Sequence, residues 1–343
     1  MSTFIIAEAG VNHNGDEALA LQLVETAKEC GADAVKFQTF DADKLVLHGA
    51  EKAEYQKRQT GGGDQHAMLK ALELSREAHR RVHQRCTELG IEFMSTPFDE
   101  DAADFLLQLG MARIKVPSGE ITNTPFLEFL AAKDLPMIVS TGMASLSEIL
   151  EAVRTISATR HRKGFKASMK DMVTVLHCTS NYPATYSDVN LRAMATIARA
   201  TGLPIGYSDH TTGIAVSAAA VALGATVIEK HFTLDRGMPG PDHAASLEPR
   251  ELSAMISQVR AIEAAMGSDV KEPTASELPV RSLVRRSLTT VRDVAAGATL
   301  QMSDVALLRP GTGIPPRDRD RAVGKRARKA LAAGTTLQWS DLE

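Results

Sequence analysis

Cysteine is scarce, positive charge is not in excess, and no apolar run approaches the roughly 20 residues needed to cross a bilayer. Three unclustered cysteines, Cys30, Cys86 and Cys178, exclude a disulfide framework and argue against a structural zinc site. A formal net charge of −3 over 343 residues gives no electrostatic case for nucleic acid. Met1 leads directly into a strand-like segment with no basic stretch or cleavage site, so a cytoplasmic location with reduced thiols is expected. Neither a membrane nor a nucleic acid is an expected partner.

What is present is an ordinary globular balance, 44% hydrophobic and 24% charged, with enough chain for a large core. Eight short apolar runs each turn polar at their C-terminal end: 4–10, 34–40, 91–97, 113–120, 136–142, 172–180, 204–211 and 226–233. Amphipathic segments of helical period lie between most of them, at 17–29, 75–89, 100–109, 145–159, 190–200, 214–223 and 249–266. Strict alternation argues for parallel strands with helical crossovers. Eight units with polar side chains at every strand end favour a closed (β/α)₈ TIM barrel over an open sheet. Those ends would then converge on one mouth, where barrel enzymes do their chemistry.

A barrel needs about 250 residues, so a second, smaller domain is expected. The boundaries read as a barrel over 1–266, a polar linker over 267–280 and a small domain over 281–343. That domain carries an internal duplication, with Ala295-Ala296-Gly297 through Ser303-Asp304 recurring as Ala332-Ala333-Gly334 through Ser340-Asp341 at an offset of 37. From Pro279 onward 12 Lys and Arg face 6 Asp and Glu, leaving +6 there and −9 before it. Such a basic segment could dock on an acidic barrel or help hold an anion. Residues 40–74 are too many for an ordinary strand-to-helix connection. Because the segment follows a strand end, a substrate-covering loop is expected.

His210 and His231 each sit at a strand end and lie 21 residues apart, one helix–strand unit. On neighbouring barrel strands their imidazoles could share one divalent ion, Mn²⁺, Mg²⁺ or Zn²⁺. Lys36, Lys115 and Lys230 lie at or near other strand ends, with Thr96, Ser118, Ser140 and Ser208 as short hydroxyl donors. Lysines, convergent hydroxyls and glycine-rich turns make a cradle for a phosphate or carboxylate. Any one of the three lysines could instead serve as a Schiff-base nucleophile. Glu8 and Glu120 place carboxylates at the ends of the first and fourth strands, and Asp242 follows the eighth. Each could balance a lysine, hold a sugar hydroxyl or carry a proton. Gln38, Asn12, Asn14 and Tyr182 complete a polar rim.

In order along the chain, AEAGVNHNG (7–15), AVKFQTF (34–40), FMSTPFD (93–99), KVPSGE (115–120), STGM (140–143), HCTSNYP (177–183), GYSDHT (206–211) and IEKHFTLDR (228–236) resemble the sialic acid (N-acetylneuraminate) synthase family. That family includes legionaminic and pseudaminic acid synthases. RRSL (285–288) and RPGTGIPP (309–316) resemble the antifreeze-like SAF domain that ends these synthases. The resemblance implies condensation of phosphoenolpyruvate with an acetamido-sugar aldehyde, N-acetylmannosamine first or a 2,4-diacetamido-2,4,6-trideoxy sugar as the alternative. It implies His210 and His231 as catalytic metal ligands, with Mn²⁺ or Mg²⁺ the expected ion. Lys36, Thr96, Lys115, Ser118, Ser140 and Ser208 match phosphoenolpyruvate-holding positions, and either Ser180 or Asn181 joins them. Gln38, Tyr182 and Asp242 match sugar contacts, and Glu8 and Glu120 acidic site residues. Arg309 matches an arginine that reaches the partner barrel of a homodimer from the SAF domain. Ice binding, which the domain's name invites, needs a flat array of small side chains that this Arg-rich segment lacks.

Overall fold

The computed structural model describes residues 2–343, which fall into two compact units dividing after Gly267. In the first, eight strands run parallel: β1 (Phe4–Gly10), β2 (Ala34–Thr39), β3 (Glu92–Pro97), β4 (Ile114–Val116), β5 (Met137–Ser140), β6 (Val173–Cys178), β7 (Ile205–Asp209) and β8 (Val227–His231). They pair in the order β3-β2-β1-β8-β7-β6-β5-β4, and β3 and β4 at the two ends come together, so the sheet curls into a near-closed barrel. The expected TIM-barrel class is the one observed.

Helices α1 (Glu17–Glu29), α2 (Ala42–Leu45), α3 (Glu54–Thr60), α4 (Gln65–Leu72), α5 (Arg76–Leu89), α6 (Glu100–Gln108), α7 (Thr124–Ala131), α8 (Leu146–Arg162), α9 (Met169–Met172), α10 (Ala193–Thr201), α11 (Ala215–Ala222) and α12 (Pro249–Met266) complete this unit. Their starts follow capping chemistry. The side chains of Asp16, Ser75, Asp99 and Ser145 accept from backbone N–H groups of the first turns of α1, α5, α6 and α8. Helix α7 escapes the sequence reading because its eight residues, TPFLEFLA, are few and mostly apolar, with only Thr124 and Glu128 marking a polar face.

Parallel strands buried on both faces read as continuous apolar runs, and period two decides which side chains point into the barrel. Ile6, Ala34, Met94, Ile138, Leu176 and Val227 form one interior layer of apolar side chains. Two residues further along the same strands stand Glu8, Lys36, Thr96, Ser140, Cys178 and Glu229. One more step reaches Gln38, Ser180 and His231, with His210 two beyond Ser208. The polar strand ends are therefore stacked layers closing a packed floor.

The long connection between β2 and β3 holds α2 to α4, each of 8 residues or fewer and so too short to show a period. Met68 and Leu72 of α4 bury against Val11, with Phe40 and Leu69 packed beside them. The Lys52 ammonium donates to Thr60 Oγ1 and to the carbonyls of Gly61 and Gly62, tying down the end of α3.

In the second unit, α13 (Glu277–Val284) precedes an antiparallel pair, β9 (Ser287–Thr290) and β10 (Val305–Leu308), and α14 (Arg319–Ala322) follows. The duplicated sequence is a duplicated structure. Asp304 Oδ2 accepts from Gln301 N at 2.7 Å and Asp341 Oδ2 from Gln338 N at 2.9 Å, closing two like 3₁₀ turns. Leu300 and Leu337, 37 residues apart, are both fully buried in a core with Leu288, Ile314, Leu331 and Leu342.

Candidate active site

The barrel mouth opens into a cavity of about 460 Å³ whose walls include both interior polar layers. At its floor four buried charges interlock. The Lys36 ammonium lies 2.6 Å from Glu8 Oε2 and 3.6 Å from Glu229 Oε2, and Lys115 Nζ lies 3.4 Å from Glu229 Oε1. Lys36 also donates to Thr96 Oγ1 (2.9 Å), Lys115 to Ser140 Oγ (2.8 Å), and Ser208 Oγ to Glu229 Oε1 (2.9 Å). All four charged residues are at most 4% exposed, so none survives there without the others.

The charges are unequal. Burial, with the negative Glu229 nearby, pushes Glu8 up to about 7 despite Lys36. Glu229 is equally buried, but Lys115, Lys36 and the Ser208 hydroxyl pull it down to about 2. Burial opposes the Lys36 charge, yet Glu229 and Glu8 outweigh it and hold the ammonium above its usual range. Lys115 is lowered by burial. Near neutral pH the floor therefore holds one firmly ionised carboxylate, one poised to gain or lose a proton, and two lysines.

Above the floor stand the two histidines, ring centroids 5.4 Å apart. His210 Nδ1 lies 2.7 Å from the Thr179 carbonyl, which can only accept, so Nδ1 carries the hydrogen and Nε2 keeps its lone pair. His231 Nδ1 is buried with no hydrogen-bond partner among the described residues, and Asp242 Oδ2 lies 3.9 Å from it. Burial lowers His210 to about 4 and His231 well below the imidazole range, so both rings are neutral. An orphaned buried nitrogen, a second free lone pair and a neighbouring carboxylate fit a shared divalent ion.

Tyr182 packs against both rings, 4.2 Å from His210 and 5.5 Å from His231 between centroids, and Tyr55 of α3 lies 5.2 Å beyond it. Asp242 is buried and pushed up to about 6 by desolvation. An adjoining space of about 340 Å³ is lined by Gln38, Tyr55, Gln56, Gln65, Tyr182 and Asp242, among others. Gln38 Nε2 reaches Glu8 Oε1 at 3.4 Å.

Thus Glu8, Lys36, Gln38, Thr96, Lys115, Ser118, Ser140, Ser180, Tyr182, Ser208, His210 and His231 share one cavity wall, with Asp242 in the adjoining space. Four candidates stand apart. Asn181 is exposed and outside the cavity, while Ser180 faces in. A Cβ on Gly142 would come within 2.1 Å of Ser180 Oγ and 2.8 Å of Ser118 Oγ, so glycine there lets both hydroxyls converge. Glu120 lies at the rim of the adjoining space, accepting from Asn123 Nδ2. Arg309 belongs to the second unit. Lys230, one residue out of phase with His231, is fully buried on the other face of β8 and bonds Asp209 and the Thr211 carbonyl. It is therefore removed from the list of possible nucleophiles. Glu229 was missed, although its parity with His231 places it inward. Tyr55, Gln56 and Gln65 come from helices with no sequence signal.

The NeuB family model matches residues 23–271 and the SAF domain model residues 285–343. The N,N'-diacetyllegionaminic acid synthase of Legionella pneumophila is 54% identical over 100% of this chain and 95% of its own length. The enzyme of that name from Campylobacter jejuni is 46% identical over 95% of this chain and 96% of its own. The crystal structure of the N-acetylneuraminic acid synthetase of Leptospira borgpetersenii superposes with a TM-score of 0.71 at 35% identity, covering 82% of this chain and 90% of that one. A barrel mouth of this make-up, matched by relatives along the whole chain, belongs to the NeuB family, here with a C-terminal SAF domain.

Proposed function

We propose that this chain condenses phosphoenolpyruvate with an acetamido-sugar aldehyde to give a nonulosonic acid and inorganic phosphate. The observation that carries this reading is the stacking of two neutral histidines above a buried nest of two lysines and several hydroxyls. In this reading Lys36 and Lys115, with Thr96, Ser118, Ser140, Ser180 and Ser208, hold the phosphate and carboxylate of phosphoenolpyruvate. The sugar lies above it against Gln38, Tyr182 and Asp242. His210 and His231 would hold a divalent ion, Mn²⁺ or Mg²⁺, which when bound supplies Lewis-acid polarisation of the aldehyde oxygen.

A carbon–carbon bond forms between C3 of phosphoenolpyruvate and the aldehyde carbon, whose oxygen takes up a proton. Water adds at C2 and loses a proton. The C2–O bond to phosphate then breaks as the new C2 hydroxyl gives up its remaining proton, so that hydrogen phosphate leaves and a 2-keto acid remains. Glu8, held near neutrality, is the group able to exchange a proton at these steps, with Glu120 further out at the rim. Glu229 stays ionised and keeps the two lysines from repelling one another.

Sequence identity of 54% over the full length to an N,N'-diacetyllegionaminic acid synthase favours 2,4-diacetamido-2,4,6-trideoxymannose over N-acetylmannosamine as the sugar. The same reading carries a homodimer in which Arg309 of one chain faces the barrel mouth of the other, acting in the cytoplasm. No described helix is long and apolar enough to cross a membrane. The test is phosphate release from phosphoenolpyruvate with Mn²⁺ and each sugar, with the product weighed by mass spectrometry. Release with the diacetamido sugar and a product of legionaminic mass supports the proposal. Release with N-acetylmannosamine alone overturns the choice of sugar, and release with neither overturns the reaction.

A further inference from the structure

A second group of metal-ligating side chains lies outside this mouth, on the segment that covers it. Asp43 of α2, His48 of the following loop and His66 of α4 each offer a ligand atom, all within 4.8 Å of one another. His66 Nε2 donates to Asp43 Oδ1 at 2.7 Å, a proton that a bound ion would displace, and His48 Nε2 lies 3.9 Å from the same oxygen, with the imidazole centroids 3.7 Å apart. The second carboxylate oxygen is already occupied, because Lys70 Nζ donates to Asp43 Oδ2 at 2.9 Å. The carboxylate is therefore aimed, with one oxygen fixed from behind and the other facing two imidazoles, as metal-binding carboxylates commonly are.

We propose that Asp43, His48 and His66 bind Zn²⁺ or a similar borderline divalent ion, and that this ion clips together the two ends of the covering segment. Two nitrogens and one oxygen, open to water for a fourth ligand, are a donor set that Zn²⁺ accepts readily. Donors on one tetrahedral zinc sit about 3.3 Å apart, a contraction that the exposed His48 side chain can make. His66 is buried and cannot move far, so it sets the position of the ion. The clip joins α2 to α4 across 23 residues, and between them lies α3 with Tyr55 and Gln56. Gln65, beside His66, lines the substrate cavity. An ion here would order the cover without touching the reacting atoms, and it does not depend on the proposed reaction.

The test uses the full chain carrying His210→Ala, which breaks the mouth pair, stripped by chelator and dialysed. Titration with Zn²⁺, and with Co²⁺ followed by its visible ligand-field bands, is expected to show one tetrahedral ion per chain. Adding His48→Ala, an exposed position where misfolding is not a concern, should weaken binding about 10-fold or more. Zn²⁺ should also slow proteolysis within residues 46–63 of the parent and leave the His48→Ala protein unprotected. Equal binding by the two proteins overturns the site and leaves a hydrogen-bonded surface triad. Binding that is lost with His48 but gives no protection overturns the clip.

Discussion

Replacing Glu229 by glutamine removes one negative charge from the barrel floor while keeping the side chain's shape. Its amide oxygen can still accept from Ser208, so the change is close to purely electrostatic. Among the described residues Lys115 then has no carboxylate within 4 Å, and Lys36 keeps only Glu8. Breaking a buried ion pair by removing one partner costs ~3–5 kcal/mol, because an uncompensated charge is left behind. Glu8 softens the loss: with Glu229 neutral, one of the influences raising its pKa disappears, and it ionises more readily beside Lys36. The lower end, ~3 kcal/mol, is therefore expected near neutral pH. At ~2–3 °C per kcal/mol for a unit of this size, the unliganded variant should melt roughly 6–9 °C early. Phosphoenolpyruvate brings back negative charge to the same lysines. Calorimetry with saturating phosphoenolpyruvate should therefore show a much smaller deficit, even though turnover is lost. A deficit that is the same with and without ligand would mean these lysines do not face the substrate anion, and the cradle reading would be wrong.

Glu8 sets a pH dependence of definite sign. Its folded-state pKa of about 7 lies above its ordinary value of 4.5, so the folded chain keeps a proton that the unfolded chain has released. Its contribution is complete below pH ~4.5 and is lost as pH rises to ~7, about 3 kcal/mol in all. Glu8→Gln has no proton to lose, so the melting difference between about pH 5 and about pH 8 should shrink, and an unchanged difference would refute the assignment. Gly142→Ala should push Ser118 and Ser180 off their common target and raise the KM for phosphoenolpyruvate about 10-fold, the worth of one hydrogen bond to a charged ligand. The sugar KM should hardly move, and equal effects on both would place the turn elsewhere. Arg309→Ala and His210→Ala should each abolish activity. If Arg309 acts in trans, mixing and re-annealing the two inactive proteins should restore about a quarter of wild-type activity, whereas a site built within one chain restores none.

What could be read in advance followed from how many residues reported on the same feature. Eight apolar runs with polar ends gave eight independent votes for a barrel, and each strand was found within a few residues of its expected place. That Lys36, Thr96, Lys115, Ser140 and Ser208 gather in one cavity was legible for the same reason, since all sit at or near the C-terminal ends of strands. The cover was not, because Tyr55, Gln56 and Gln65 reach the cavity through helices shorter than three turns whose position depends on tertiary packing at Val11 and on the Lys52 clamp. The loss at β8 has a different cause. There the sequence reading names Lys230 and leaves out Glu229, because it weighs the ammonium's chemistry without the strand's parity. In a strand whose side chains alternate, an inward His231 requires an inward residue 229 and an outward residue 230. That step needs no coordinates, and with it an ammonium on the outer face could not have been offered as a nucleophile for a substrate inside. The two lysines that parity leaves inside, Lys36 and Lys115, are also the two that Glu229 needs as partners. An interior with two buried ammonium groups and only Glu8 to balance them is short one negative charge, and that shortfall already pointed to a second carboxylate on the same rim.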